Sequence, residues 1–197
     1  MTQQPVVNPG LGMRLTLSGI RQRFPKVENI STNELHLMML DQNQERNVLL
    51  LDVRAKEERQ ISFIKSSVFV DAGKPLLENV DEVKQVIQEK MNSFATKPDS
   101  STDSSTQELL VVAYCSIGYR SSALINGLQS NLEATSSGCG TESTLQKVKL
   151  FNLEGSIFKW ANEKRPMVNH NDKETTFVHP YNNLWGKLLE EAYRKWN

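Results

Sequence analysis

The stretch LLVVAYCSIGYRSSALINGLQ, Leu109 to Gln129, sets a cysteine at the end of an apolar run and in front of a helical pattern. Leu109 to Tyr114 is short, rich in Val and Leu, and continuous rather than alternating, which suits a strand covered on both faces, as in a parallel sheet. Beyond it, Ser121 and Ser122 open a segment in which Ala123, Leu124, Ile125 and Leu128 fit one helix face. Cys115 therefore falls on a strand-to-loop-to-helix turn.

A thiol in that position gains thiolate character from backbone N–H groups converging on the sulfur and from the positive end of the helix dipole. Gly118 lets the loop curl, and the small Ser116 leaves room for a substrate. Arg120 is the odd residue, because a cation opposes the dipole at a helix start. It is explained if it faces a carboxylate or an anionic substrate. The loop Ser116, Ile117, Gly118, Tyr119 and Arg120 is thus the candidate substrate cradle around Cys115, the candidate nucleophile.

Outward from this loop, Ser31-Thr32-Asn33-Glu34 reads as a capping box opening a helix through Leu40. Val48 to Leu51 reads as a buried strand ending in Asp52, and Val68 to Val70 as a shorter one before Asp71. Val80, Val83, Val86, Ile87, Met91 and Phe94 fall at helical spacing, and Val148 to Asn152 reads as a further strand. Strands alternating with helices imply an α/β domain, a parallel central sheet with helices on both faces, and a ligand site at the carboxyl ends of the strands. Asp52 and Cys115 both fall at such ends. Asp52 and Arg54 are expected beside the Cys115 loop, Asp52 bracing backbone or Arg120 and Arg54 meeting an anionic donor. Glu58 is expected to pair with Arg120 or Arg54.

The chain has 197 residues, enough for one core plus tails. Its formal charge is zero, so bulk charge points to neither nucleic acid nor membrane as partner. No apolar run approaches the ~18 residues needed to span a bilayer. Two cysteines, Cys115 and Cys139, make no disulfide framework, and Met1 to Gly12 lacks the order of a secretory signal. A cytoplasmic location is the expectation. The basic stretch Leu11 to Val27 leaves organelle targeting as the lesser alternative to a flexible or strand-forming extension. Ser/Thr-rich connections near 96–107 and 131–146 read as mobile surface loops, and Cys139, inside the second, could reach Cys115 as a relay thiol. Leu184, Trp185, Leu188, Leu189, Ala192 and Trp196 predict a terminal helix covering the core. His36, His170 and His179 carry no catalytic or metal-site pattern, and no metal or other cofactor is expected.

Four segments in order carry a family resemblance. Val111 to Ser122 resembles the active-site region of the rhodanese (sulfurtransferase) family. LLLDVRAKEERQIS, Leu49 to Ser62, resembles its Asp-Val-Arg segment with a following acidic residue, and SFIKSSVFVD sits where the family shows Gly-His-Ile and then Gly-Ala. VKLFNLEGSIFKW, Val148 to Trp160, resembles its strand followed by Leu-x-Gly-Gly and a Trp. The chain departs from the pattern at Phe63, where a His is usual, at Ser66 and Ser67 in place of Gly-Ala, and at Ser156 in place of the second Gly. Phe63 is expected to be an ordinary core aromatic.

The resemblance implies a rhodanese-like three-layer domain over residues 29–168, with an N-terminal extension over 1–28 and a C-terminal segment over 169–197 packing on it. It implies sulfur transfer through a persulfide on Cys115, from thiosulfate or another persulfide to a thiol, cyanide or a sulfur-carrier protein. Two alternatives stand beside it: a catalytically idle binding or regulatory module, and an enzyme of the phosphatase or arsenate reductase type. Related phosphatases use a Cys-x5-Arg loop, whereas Cys115 to Arg120 is Cys-x4-Arg, a ring sized for a sulfur atom.

Overall fold

The apolar runs that the sequence offers as strands assemble side by side. A computed structural model of the chain describes residues 9–45, 47–95, 108–136 and 147–196. Strands β1 (Glu28–Ile30), β2 (Val48–Asp52), β3 (Val68–Phe69), β4 (Leu109–Tyr114) and β5 (Val148–Leu153) form one sheet in the order β1-β5-β4-β2-β3. Every pairing is parallel, and the register sets Asp52 opposite Tyr114 and Ala113 opposite Asn152. Parallel neighbours need crossover connections, and helices supply them. The helices are α1 (Leu11–Arg23), α2 (Thr32–Leu40), α3 (Gln42–Glu45), α4 (Lys56–Ile61), α5 (Leu76–Ala95), α6 (Tyr119–Ser136) and α7 (Ser156–Asn162), of which α2 to α6 run between strands.

β2 and β4 lie inside the sheet and are buried almost throughout, which is why they are continuous in Leu and Val rather than alternating. Leu51, Leu109, Val111, Val112, Leu124, Leu128, Phe158 and Trp160 are completely buried, and each aliphatic side chain so placed contributes about 1.5–3 kcal/mol. Ser31 Oγ accepts from Glu34 N while Glu34 Oε2 accepts from Ser31 N, the capping box expected for α2.

Several expectations are corrected. The N-terminal extension is neither a strand nor a loose tail over 11–23: α1 buries Met13, Leu17 and Ile20 at helical spacing, and Arg21 pairs with Glu154. After four intervening residues the chain adds the edge strand β1. α6 continues to Ser136, into the stretch expected to be a loop, while 96–107 and 137–146 lie outside the described residues. The terminal α-helix is replaced by two 3₁₀ turns, Trp185–Leu188 and Glu191–Tyr193. Tertiary hydrogen bonds outcompete the helix there. Asn182 Oδ1 accepts from Leu184 N and Trp185 N, Asn162 Nδ2 donates to Leu188 O, Glu190 N donates to Asn162 Oδ1, and the Arg194 guanidinium clamps Leu189 O. Gly186 closes tightly on Pro180, leaving only 2.9 Å for any added Cβ. Of the expected apolar face Leu189 is buried, but Leu184 and Trp196 are exposed.

Candidate active site

β4 delivers Cys115 to the carboxyl edge in the middle of the sheet, and residues 115–120 turn there into α6. Gly118 makes the turn: its φ is +110°, and a Cβ would stand 3.3 Å from Asn152 Nδ2. Only glycine accepts that backbone without strain. The curl aims Gly118 N at the sulfur, donating to Cys115 Sγ at 3.2 Å. Ser121 Oγ lies 3.6 Å from Sγ and 2.7 Å from Asn152 Oδ1. It has one proton for the two acceptors, and the shorter contact claims it. Cys115 N in turn donates to Ser156 Oγ at 3.1 Å.

Arg120 faces a carboxylate. Its Nη1 donates to Glu58 Oε2 at 2.7 Å and its Nη2 to Glu58 Oε1 at 2.9 Å and Ser116 Oγ at 2.9 Å. Ser116 Oγ donates to Glu58 Oε1 at 2.6 Å. Such a two-pronged pair fixes the guanidinium in orientation as well as charge. Burial would push the Cys115 thiol up; the Arg120 guanidinium and the backbone N–H groups of Ser121 and Gly118 outweigh it and hold the thiol below its usual value.

The carboxylate expected beside Arg120 is therefore Glu58, brought by α4, and not Asp52. Asp52 is completely buried one strand away, accepting from Arg54 Nε and Nη2 at 2.8 Å each, from Arg59 Nη1 at 3.0 Å and from the Tyr114 hydroxyl at 2.9 Å. Arg54 is likewise completely buried, bonded to Asp52 and to Ser62 O, and takes no part in lining the cavity at Cys115. Its expected meeting with an anionic donor is corrected to a place in the interior. Phe63 is half-buried under the Arg59 guanidinium, 4.0 Å from ring centroid to Cζ, rather than an ordinary core aromatic. Ser66 and Ser156, standing where the family shows glycines, both keep positive φ, 67° and 50°. The backbone turn survives the substitution, and at 156 the hydroxyl gains a partner in Cys115 N.

Cys115 is only 1% exposed, yet it contributes to the lining of a cavity of about 550 Å³. Ser116, Ile117, Tyr119 and Arg120 join it from the loop, α1 contributes Thr16, Gly19, Ile20 and Arg23, and the C-terminal segment contributes Tyr181 and Trp185. The Tyr181 ring covers the Arg120 guanidinium at 4.8 Å. These walls were missed in the sequence, as were Ser121, Asn152 and Ser156. Isoleucine and tryptophan in flanking segments signal only packing until the fold brings them over the cysteine.

His36 meets the Trp160 ring edge-on, and His170 Nδ1 is 2.9 Å from Gln60 O. His179 accepts from Tyr181 N through Nδ1, and burial lowers its pKa. Among the described residues no group of three or more His, Cys, Asp or Glu is placed to hold a metal ion, and no helix is long and apolar enough to cross a membrane. Cys139 lies outside the described residues.

The electrostatics give a titration prediction. In a Cys139→Ser background, the ultraviolet absorbance of the Cys115 thiolate is expected to rise with a midpoint below that of an ordinary thiol. Arg120→Met should move that midpoint up, because it removes the cation and leaves Glu58 unpaired beside the sulfur. Transfer that depends on the thiolate then falls as pH drops through the midpoint. An unshifted midpoint in Arg120→Met would contradict this account.

The rhodanese-like domain family matches residues 31–163. Among solved structures, the As-Sb reductase from Leishmania major superposes with a TM-score of 0.53 at 14% identity, covering 76% of this chain and 92% of that one. A yeast protein tyrosine phosphatase of the rhodanese family gives 0.50 at 18% identity, covering 69% and 85%. At these identities the likeness is one of fold. No curated protein sequence gives a significant match. With the family matching more than half of its length, and with the parallel sheet and cysteine loop in place, the chain belongs to the rhodanese-like domain family.

Proposed function

We propose that the chain is a sulfurtransferase working through a persulfide on Cys115. The observation that carries this reading is the sulfur itself, set at the end of β4 with Gly118 N donating to it and Arg120 holding it toward the thiolate. The thiolate attacks the outer sulfur of a donor R–S–S⁻. The new Cys115 S–S bond forms as the donor's S–S bond breaks, and its electron pair leaves on R–S⁻. The product Cys115–S–S⁻ keeps its negative charge inside the loop, where the amides and Arg120 stabilise it. An acceptor thiolate or cyanide then takes the outer sulfur and returns the pair to Cys115.

Phosphoryl or arsenate chemistry fits less well. A doubly charged oxyanion would meet an Arg120 already engaged on both prongs by Glu58, and the Glu58 carboxylate with it. One observation favours an idle binding module, the 1% exposure of Cys115.

Intact-protein mass spectrometry after brief exposure to thiosulfate or a small persulfide separates these readings. Sulfurtransfer expects a gain of about 32 Da on Cys115 that cyanide removes. No adduct from any donor on a reduced protein would hand the case to the binding module. Loop size is testable separately: a glycine inserted between Gly118 and Tyr119 widens the ring and lifts Arg120 from Glu58. A loss on the order of 10²-fold in single-turnover loading is expected, and unchanged loading would remove the loop-size argument.

A further inference from the structure

Six of the residues lining the cavity at Cys115 come from outside the segment that matches the family. Thr16, Gly19, Ile20 and Arg23 precede residue 31, and Tyr181 and Trp185 follow residue 163. This chain's own flanking segments therefore decide what reaches the sulfur. The walls they build are apolar and aromatic, and at about 550 Å³ the space is of the size that takes a small organic ligand. A protein loop is a poor fit to a cysteine 1% exposed beneath α1 and the C-terminal segment. An inorganic oxyanion is a poor fit for another reason: the Arg120 guanidinium already spends both prongs on Glu58, and few polar groups remain to replace an oxyanion's water. Among the described residues Arg23 has no acidic partner. Its guanidinium rests 5.6 Å from the Phe24 ring centroid, beside the cavity.

Resting on the sulfurtransfer reading, we propose that the sulfur donor is a small anionic organic sulfane compound, a persulfide or thiosulfonate. Its apolar, ring-sized body lies against Ile20, Tyr181 and Trp185, and its charge is met by Arg23. With benzenethiosulfonate as the probe, Cys115–S⁻ takes the outer sulfur of C₆H₅SO₂–S⁻. The donor's S–S bond breaks, its electron pair leaves on benzenesulfinate, and Cys115–S–S⁻ is formed.

The test compares loading of Cys115 by benzenethiosulfonate and by thiosulfate in the full chain, followed by mass spectrometry. The organic donor is expected to load with a kcat/KM at least about tenfold higher, and Trp185→Ala to lower that value about tenfold through KM, with a clearly smaller loss for thiosulfate. Tyr181→Ala, at a side chain whose residue is 45% exposed, is the second variant should Trp185→Ala not fold. Thiosulfate preferred by the native chain, or equal losses for both donors in the variant, would overturn the proposal while leaving sulfurtransfer standing. A binding measurement keeps the two readings apart: benzenesulfinate titrated into Cys115→Ser by calorimetry is expected to saturate, and to lose affinity in the Trp185→Ala double variant. Binding of benzenesulfinate without sulfur loading from any donor would uphold the pocket and sink the transfer. No binding at millimolar benzenesulfinate would overturn the pocket.

Discussion

Cys115→Ser is expected to abolish sulfur uptake and transfer, a loss on the order of 10³-fold or more, because a serine hydroxyl cannot carry a persulfide. Cys139→Ser should leave both largely intact. The loop would survive the first substitution, since Gly118 N can donate to an oxygen as it does to sulfur and the Glu58–Arg120 pair does not involve Cys115. Circular dichroism and a thermal melt unchanged from the native protein would show that only chemistry was removed. Comparable losses in the two variants would refute a single nucleophile and make Cys139 a partner in the reaction.

The middle of the sheet was legible because its signal is redundant. β2 and β4 are continuous apolar runs that only two-sided burial explains, and the capping box at Ser31 and Glu34 marks α2 through backbone donors that must be satisfied. The cysteine loop was legible for the same reason: Gly118, Arg120 and a helix start together point to one geometry. The flanks were not. α1 carries Met13, Leu17 and Ile20 at helical spacing, but Arg14, Arg21 and Arg23 drew attention to targeting. Arg21 pairs instead with Glu154, far along the sequence. β1 is three residues with a single buried side chain, too little for any periodicity to register.

The site was half legible. That Arg120 needs a carboxylate followed from its place at a helix start, and Glu58 was among the named partners. What the sequence could not separate was Asp52 from Glu58, or Arg54 from Arg120, as members of the loop. Both acids stand near the end of β2, and only the pleat and the start of α4 send Asp52 inward and Glu58 toward Cys115. Burial made the difference, and burial belongs to the fold rather than to a local spacing. The terminal segment fails for a related reason. Its apolar residues fit a helix, but Asn162, Asn182 and Arg194 offer its backbone better partners elsewhere.

Asp52→Ala is expected to be the most destabilising of the substitutions considered, at about 3–5 kcal/mol. The carboxylate receives four hydrogen bonds, two from Arg54, one from Arg59 and one from Tyr114. Removing it leaves a completely buried guanidinium without its counter-ion, and among the described residues Arg54 Nη1 already lacks a partner. The Tyr114 hydroxyl would lose its acceptor while still receiving Ile64 N and facing Ser67 Oγ. Burial, the first cause that pushes the Tyr114 phenol up, remains when the carboxylate is gone, so the phenol is a poor substitute for the missing charge. Asp52→Asn should cost less, because the amide oxygen still accepts, and Tyr114→Phe less again, at about 1–2 kcal/mol for one buried hydroxyl. Urea unfolding gives the order directly, and a loss below 1 kcal/mol for Asp52→Ala would mean that Arg54 finds water or another acceptor. Since Tyr114 is the residue before Cys115, the network also fixes the strand end from which the loop departs. Asp52→Asn is therefore expected to slow sulfur loading only as far as it loosens β4, with the Cys115 titration midpoint unmoved.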